Sequence, residues 1–349
     1  MRVIIVGGGL AGICIAHHLE KKGVSFTIFD EEQNVSTKVA AGMINPMSFR
    51  RMLKSWNADV LIPYLNSFYP AIEKKVEGRF FYHHNIRRVF STEEERQLWE
   101  ERLADPDFKE YLNPIDDKAE TPAYIKNRFG CGFVNAPGYI EAKDFMAYNH
   151  SYFRQQNKLE YEPFDFEKLD VTNDTYKGEA FTHLVFAEGF RGIFNPYFDY
   201  LPLQRAKGEV LTIDSKQIQR DEILNRKCFV LPTIDGNFKI GSTFEWNTSD
   251  PSPSEKAKED LLEKYDYLSS APIEIVRHEG GIRPTVTDRK PLLGGHPKYP
   301  QLYIFNGLGA KGFMVAPYYA NQLVDFMLGE SKLDSEVDIK RSKKKYEGS

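Results

Sequence analysis

A chain of 349 residues allows about two domains of ordinary size and a sizeable core. With 41% hydrophobic and 28% charged residues it is not a disordered chain, and 46 basic against 50 acidic residues, a formal charge of −4, exclude a strongly cationic nucleic-acid binder. Aromatic residues reach 13%, with 25 Phe and 19 Tyr, types that line ligand pockets. The three cysteines, Cys14, Cys131 and Cys228, are too few and too scattered for a disulfide framework or a zinc pattern, so a reducing cytoplasm is expected. No run of about 18 apolar residues is present, so no transmembrane helix is expected.

In chain order, RVIIV (2–6) is a continuous apolar run suited to a buried parallel strand. GGGLAG follows, and Ile13, Ala16 and Leu19 recur at helical spacing up to Gly23. VSFTIFD (24–30) is a second strand, which completes a β-α-β unit. Residues 31–48 read as a loop and 50–77 as helical, interrupted by Pro63 and Pro70. Strands at 79–91 precede a charged helix (92–103) and Pro/Asp-rich turns (105–123), and a further helix begins near Glu141. Strands are expected at 159–171 and 182–189. Residues 205–247 carry many short strands with turns at Gly208, Asp235–Gly236 and Gly241, the pattern of an antiparallel sheet. A surface helix (253–268), extended structure (271–290), a strand (301–306) and a closing helix to about 328 follow, and 331–349 reads as a polar, fraying tail.

Gly7-x-Gly9-x-x-Gly12 lies after an apolar strand and opens a helix, with Asp30 at the end of the next strand. That context is the one the dinucleotide fingerprint requires. Gly7 permits the turn, Gly9 lets the backbone approach a pyrophosphate, and Gly12 lets the helix pack on the strand. The helix N-terminus, including Leu10 and Ala11, offers free N–H groups to phosphate. Asp30, with Glu31 beside it, would meet a ribose. The fingerprint alone does not separate NAD from FAD.

Further segments resemble the FAD-dependent D-amino-acid oxidase superfamily, in its glycine oxidase and sarcosine oxidase branch. They are VGGGLAG (6–12), AAGMINP (40–46), HLVFAEGF (183–190), KGEVL (207–211), CFVLP...DGNFKIGSTFE (228–245), GGIRPTVTDRKPLLG (280–294) and NGLGAKGFMVAP (306–317). The resemblance implies a Rossmann-like FAD-binding domain with a parallel sheet, interleaved with a mainly antiparallel substrate domain. It implies an oxidoreductase that takes a hydride from the carbon of a small amino acid or secondary amine to flavin N5, leaving an imine. Ala40, Ala41, Gly42 and Met43 match the loop beside the flavin, and Ala187 and Gly189 a strand end near the adenosine–pyrophosphate part. Glu188 stands where the family usually has a small or hydroxylated residue. Gly307, Leu308, Gly309, Ala310, Lys311 and Gly312 match the turn at the pyrimidine edge of the ring. Lys311 would steady negative charge there, or else is a solvated helix lysine.

Arg283 occupies the GIRP position that binds the substrate carboxylate in glycine and D-amino-acid oxidases. The alternative is a structural ion pair with an internal acid. Phe229 replaces a family tyrosine, and Ala310 a family arginine. The cysteine that tethers FAD in sarcosine oxidases has no counterpart, so FAD is expected to be non-covalent. Phe229 and Phe244 either wall the pocket or belong to the core. His17, His18, His83, His84 and His150 form no nucleophile or metal arrangement, and surface or packing roles are expected for them. Dioxygen or a quinone would take the electrons. The expected FAD-binding domain is discontinuous (1–78, 139–201 and 293–335). The substrate domain comprises 79–138 and 202–292, and 336–349 is a polar tail. Two other readings stay open: a flavin domain acting on an aminomethyl-type group of tRNA, and a flavin-binding protein without amine chemistry. No stable nucleic-acid partner is expected under the main reading.

Overall fold

The computed structural model describes residues 1–32, 36–49, 51–113, 121–135 and 137–342. Arg2–Val6 is a central strand, parallel to Ser25–Phe29 on one edge and His183–Phe186 on the other. Both of its faces are covered, which is why it reads as an unbroken apolar run. Leu159–Glu160 extends the sheet past Ser25–Phe29, also in parallel. Leu302–Asn306 joins His183–Phe186 in parallel, and Leu292–Gly295 closes that edge antiparallel. The helices Leu10–Lys21 and Gly312–Met327 pack on each other, and Ala58–Val76 packs on the second of them.

A second, eight-stranded sheet is built on Leu203–Asp214 and Glu274–Val286, paired antiparallel along almost their whole length. Phe238–Gly241, Cys228–Pro232 and Glu222–Arg226 continue it antiparallel, and Asn85–Val89 joins in parallel to Glu222–Arg226. The helix Glu255–Leu268 covers one face, where Leu261, Tyr265 and Leu268 meet Leu211, Ile213, Val230 and Ile240. The parallel α/β part and the mainly antiparallel part agree with the expected fold class.

Four local readings need correction. The stretch 31–48 is not all loop: Ser36–Val39 is a helical turn, and Met43–Ile44 pairs with Gly138–Ile140. The helix starts only at Ala58, and Leu53–Lys54 before it pairs with Met47–Ser48; residue 50 lies outside the described residues. The helix Ala58–Val76 then runs unbroken through Pro63 and Pro70. Both prolines, and the residues Asp59 and Asn66 whose carbonyls they leave without a donor, are exposed, so water satisfies what the prolines remove. The buried stripe Leu61, Leu65, Phe68, Tyr69 and Ile72 holds the helix in place. The strand at 159–171 stops at Glu160. Leu169–Asp170 belongs to a separate three-stranded sheet with Thr175–Tyr176 and Glu179–Ala180. The tail does not fray as far as Ser342. Val337 and Ile339 are buried, Leu293 bridges to Asp338, and Arg341 donates to Pro291 O at 2.9 Å and pairs with Asp288 at 3.1 Å. Residues 343–349 lie outside the described residues. No described helix is long and apolar enough to cross a membrane.

Candidate functional site

The glycine turn after the first strand is shaped by close backbone approaches. Gly7 has φ +102°, and a Cβ there would lie 2.5 Å from Ala187 O. A Cβ on Gly12 would lie 1.9 Å from Gly7 O, so only glycine lets the helix sit this close to the turn. Asp30 is buried and its Oδ1 accepts the Gly8 N–H at 3.1 Å. His150 is a buried partner of the same turn, its Nε2 donating to Gly8 O at 2.8 Å. His17 and His18 are buried packing residues, pushed down by burial to pKa values of about 3 and about 4.

Two helix N-termini open on one cavity of about 330 Å³. The helix Leu10–Lys21 carries no side-chain cap and no acid in its first turn. The helix Gly312–Met327 is likewise uncapped, with Lys311 at its N-cap. Each end presents backbone N–H groups outside the helical ladder, and a partial positive charge. Of the candidate residues, Gly9, Leu10 and Ala11, Ala40 to Met43, Ala187, Gly189 and Leu308 to Gly312 line this cavity, together with Phe229 and Arg283. Gly7, Asp30 and Glu31 line a second cavity of about 550 Å³ with Phe164, Phe166 and Glu188.

Gly12 and Gly307 line neither cavity; they shape the chain behind it. At Gly307, φ is +74°, its N–H donates to Asn306 Oδ1 at 2.8 Å, and Asn306 Nδ2 reaches Gly189 O at 2.8 Å. That pair of bonds ties the two cofactor-side strand ends together.

Lys311 is not a solvated helix lysine. Its Nζ donates to Asn45 O at 3.1 Å and Met47 O at 3.4 Å and to Ser55 Oγ, and burial lowers its pKa to about 8. It thus ties the 45–55 segment to the wall of the cavity. In the second cavity Glu31 pairs with Arg191. Glu188 accepts from Asn195 at 2.7 Å, and burial raises its pKa to about 7.

Arg283 and Lys311 are the two cations that line the cavity. The Arg283 guanidinium donates to Ser242 Oγ at 2.9 Å and to Lys207 O and Thr243 O at 3.3 Å. These acceptors are neutral, and no acid among the described residues pairs with it, so the expected alternative of an internal ion pair does not hold. Burial lowers its pKa to about 10. The guanidinium lies flat over Gly208, where a Cβ would sit 1.9 Å from Nη2.

The two phenylalanines separate: Phe229 is buried in the cavity wall, whereas Phe244 is 51% exposed and lies over the guanidinium with its ring centroid 5.5 Å from Cζ. Sequence reasoning assigned no role to Ser36, Thr37 or Ser242 and read Gly208 as a turn; all four line the cavity, and Gly208 lies inside the strand Leu203–Asp214, paired with Gly281. Thr37 Oγ1 accepts the Leu10 N–H at 3.3 Å. Gly208 and Ser242 stood inside segments quoted for the resemblance, the only signal that pointed to them.

A model of the FAD dependent oxidoreductase family matches residues 2–326. The chain belongs to that family. This FAD-dependent oxidoreductase is 23% identical over 359 residues to the glycine oxidase of Bacillus licheniformis, covering 93% of this chain and 92% of the relative. It is 24% identical over 362 residues to the tRNA 5-methylaminomethyl-2-thiouridine biosynthesis bifunctional protein of Legionella pneumophila (strain Corby), of which it spans only 52%. Among solved structures it is similar to the glycine oxidase from Geobacillus kaustophilus, with TM-score 0.79, 22% identity and 98% of each chain covered.

The family's cofactor fits the residues present. Two uncapped helix ends suit an anionic pyrophosphate and an electron-rich ring edge. At Gly9 a Cβ would meet nothing closer than Thr37 Oγ1 at 3.5 Å, leaving the backbone open to a ligand. Among the described residues no group of three or more His, Cys, Asp or Glu could hold a metal ion.

Proposed function

We propose that this FAD-dependent oxidoreductase oxidises a small amine that carries a carboxylate, an amino acid or a secondary amino acid. The observation that carries the reading is Arg283, a half-buried cation in the cavity wall with only neutral hydrogen-bond partners. A guanidinium has five N–H donors in a planar fork that matches a carboxylate. A bound carboxylate would supply the counter-charge that the protein does not. Bound FAD supplies a two-electron oxidant for the carbon that bears the amine. The chain's own work is to fix the carboxylate at Arg283, to wall the substrate with Phe229, and to set positive helix ends where negative charge collects. FAD is held without a covalent tether in this reading. The likeness to glycine oxidases supports the amine class.

The cofactor part comprises 1–78, 139–201 and 293–335 and the substrate part 79–138 and 202–292. With three buried free cysteines, the protein suits a reducing cytoplasm.

The test is an anaerobic screen of glycine, sarcosine, proline and D-amino acids against the FAD-loaded protein, following loss of flavin absorbance. Bleaching by at least one of them is expected, and oxygen uptake in the aerobic repeat separates dioxygen from a quinone as acceptor. No bleaching by any carboxylated amine, in protein that holds FAD, would leave a flavin-binding protein without amine chemistry.

A second reading, oxidation of an aminomethyl-type group on tRNA, is favoured by the likeness to the bifunctional tRNA-modifying protein. Salt-dependent tRNA binding would support it.

A further inference from the structure

The strand Phe238–Gly241 is buried at every position, and one of its residues is charged: Lys239, 4% exposed. A lysine is almost never this buried unless it is paired. Its counter-charge is Glu141, 7% exposed, whose Oε1 lies 3.8 Å from Nζ, too far for a hydrogen bond. The hydrogen bond goes elsewhere, from Nζ to Ala40 O at 3.2 Å. Thr212, directly opposite Lys239 on the neighbouring strand, keeps a buried Oγ1 without a partner. The ammonium is thus spent on the loop at Ala40 and not on its own sheet. Glu141 precedes the helix Ala142–Gln155 but does not cap it with its side chain. Burial pushes the lysine down and the glutamate up, and each holds the charge of the other against that push.

Lys239 stands two residues before Gly241 and shares its face of the sheet. Gly241 pairs with Val210 and Phe229, and both of these line the cavity. The next residue, Ser242, accepts the bond from Arg283. On the other end of the tie, Ala40 to Met43 line the same cavity. Their segment has a second tie to the sheet, Ser36 Oγ donating to Ile282 O at 2.6 Å, and one to the fingerprint helix through Thr37 Oγ1 and the Leu10 N–H. Lys239 therefore joins the loop to the wall that carries Phe229 and the acceptor of Arg283.

We propose that Lys239 is a positioning residue for the cofactor: from the second sheet it holds the loop Ala40–Met43 closed on bound FAD, and Glu141 keeps it charged for that task. This rests on FAD filling the cavity that those four residues line.

The experiment compares the FAD-loaded wild type with Lys239→Met, Glu141→Gln and the double variant. Two quantities are read: melting temperature, and the rate at which FAD leaves the diluted protein, followed by the fluorescence of free flavin. Each single substitution leaves a buried group without its counter-charge and should lower the melting temperature. The double variant has neither charge and should recover it. FAD release should be about tenfold faster in Lys239→Met, the effect of losing one charge-assisted hydrogen bond. It should stay that fast in the double variant, because Ala40 O still lacks its donor. In Glu141→Gln, which keeps the donor, release should remain close to the wild-type rate.

Release that returns to the wild-type rate together with the melting temperature overturns the proposal, because the pair then only stabilises the fold. An unchanged rate in Lys239→Met overturns it as well. Gly42→Ala, which strains the loop itself, tells that failure from a wrong placement of the cofactor. Faster release in Gly42→Ala alone leaves the loop at the cofactor and removes only the role of Lys239. An unchanged rate in both variants removes the loop from the cofactor site too.

Discussion

Replacing Arg283 by methionine separates a substrate-binding cation from a structural one. In the folded protein its three hydrogen bonds go to neutral oxygens, and burial alone lowers its pKa to about 10. At about 1.4 kcal/mol per tenfold, that depression costs the ligand-free protein on the order of 3 kcal/mol. Methionine removes this cost and loses three hydrogen bonds from a charged donor, two of them long at 3.3 Å; at roughly 1.5 kcal/mol each, the lower end for a charged group, the two effects offset to within about 1 kcal/mol. Stability without ligand should stay within about 1 kcal/mol of wild type in urea unfolding.

Binding behaves differently. A carboxylate taking two charge-assisted bonds gains roughly 3–6 kcal/mol, so its loss should weaken acetate or substrate by about a hundredfold or more. FAD content should be retained. A loss of about 3–5 kcal/mol in stability with carboxylate affinity changed by less than tenfold would refute the reasoning, because that is the signature of breaking a buried ion pair.

In Gly208→Ala the new methyl would sit 1.9 Å from the end of a flexible arginine and not from backbone, so the guanidinium should move while the fold survives. Steady-state kinetics should show a raised KM with melting temperature nearly unchanged. Gly42→Ala should behave in the opposite way: φ is +72° and the Cβ would lie 1.8 Å from Ile140 O, so both melting temperature and FAD retention should fall.

Burial raises the Glu188 pKa to about 7 against an unfolded value near 4.5. The folded state therefore holds more protons between those values, and the stability of the FAD-free protein should fall as pH rises from about 4.5 to 7. Glu188→Gln should remove that slope in urea titrations at several pH values. Lys311→Met should loosen the 45–55 segment, which the lysine ties through Asn45 O, Met47 O and Ser55 Oγ, and limited proteolysis there should speed up.

The nucleotide half of the site was legible because its determinants are local. The turn at Gly7–Gly12 and Asp30 lie within one β-α-β unit, and spacing alone reports them. The cavity wall around Arg283 was legible only in part. The position of the arginine could be read, but its neutral partners could not. Lys207 and Thr243 contribute backbone carbonyls, which leave no mark on residue type.

Lys311 read equally well as solvent-facing, because its acceptors lie more than 250 residues away along the chain. The prolines at 63 and 70 misled for a different reason. Their effect depends on whether the freed carbonyls face water, which is a property of packing.

The parallel sheet carries a consequence in time. Its neighbouring strands Arg2–Val6, His183–Phe186 and Leu302–Asn306 come from three remote parts of the chain, and the second uncapped helix end follows the last of them. During synthesis the fingerprint emerges first, yet the cavity it serves has no opposite wall until residues 306–313 have been made. The first three hundred residues must wait with a phosphate turn and a strand edge exposed. Enclosure of a cofactor is then a closing event in the life of the chain, since the last of these strands and the helix behind it must be in place first.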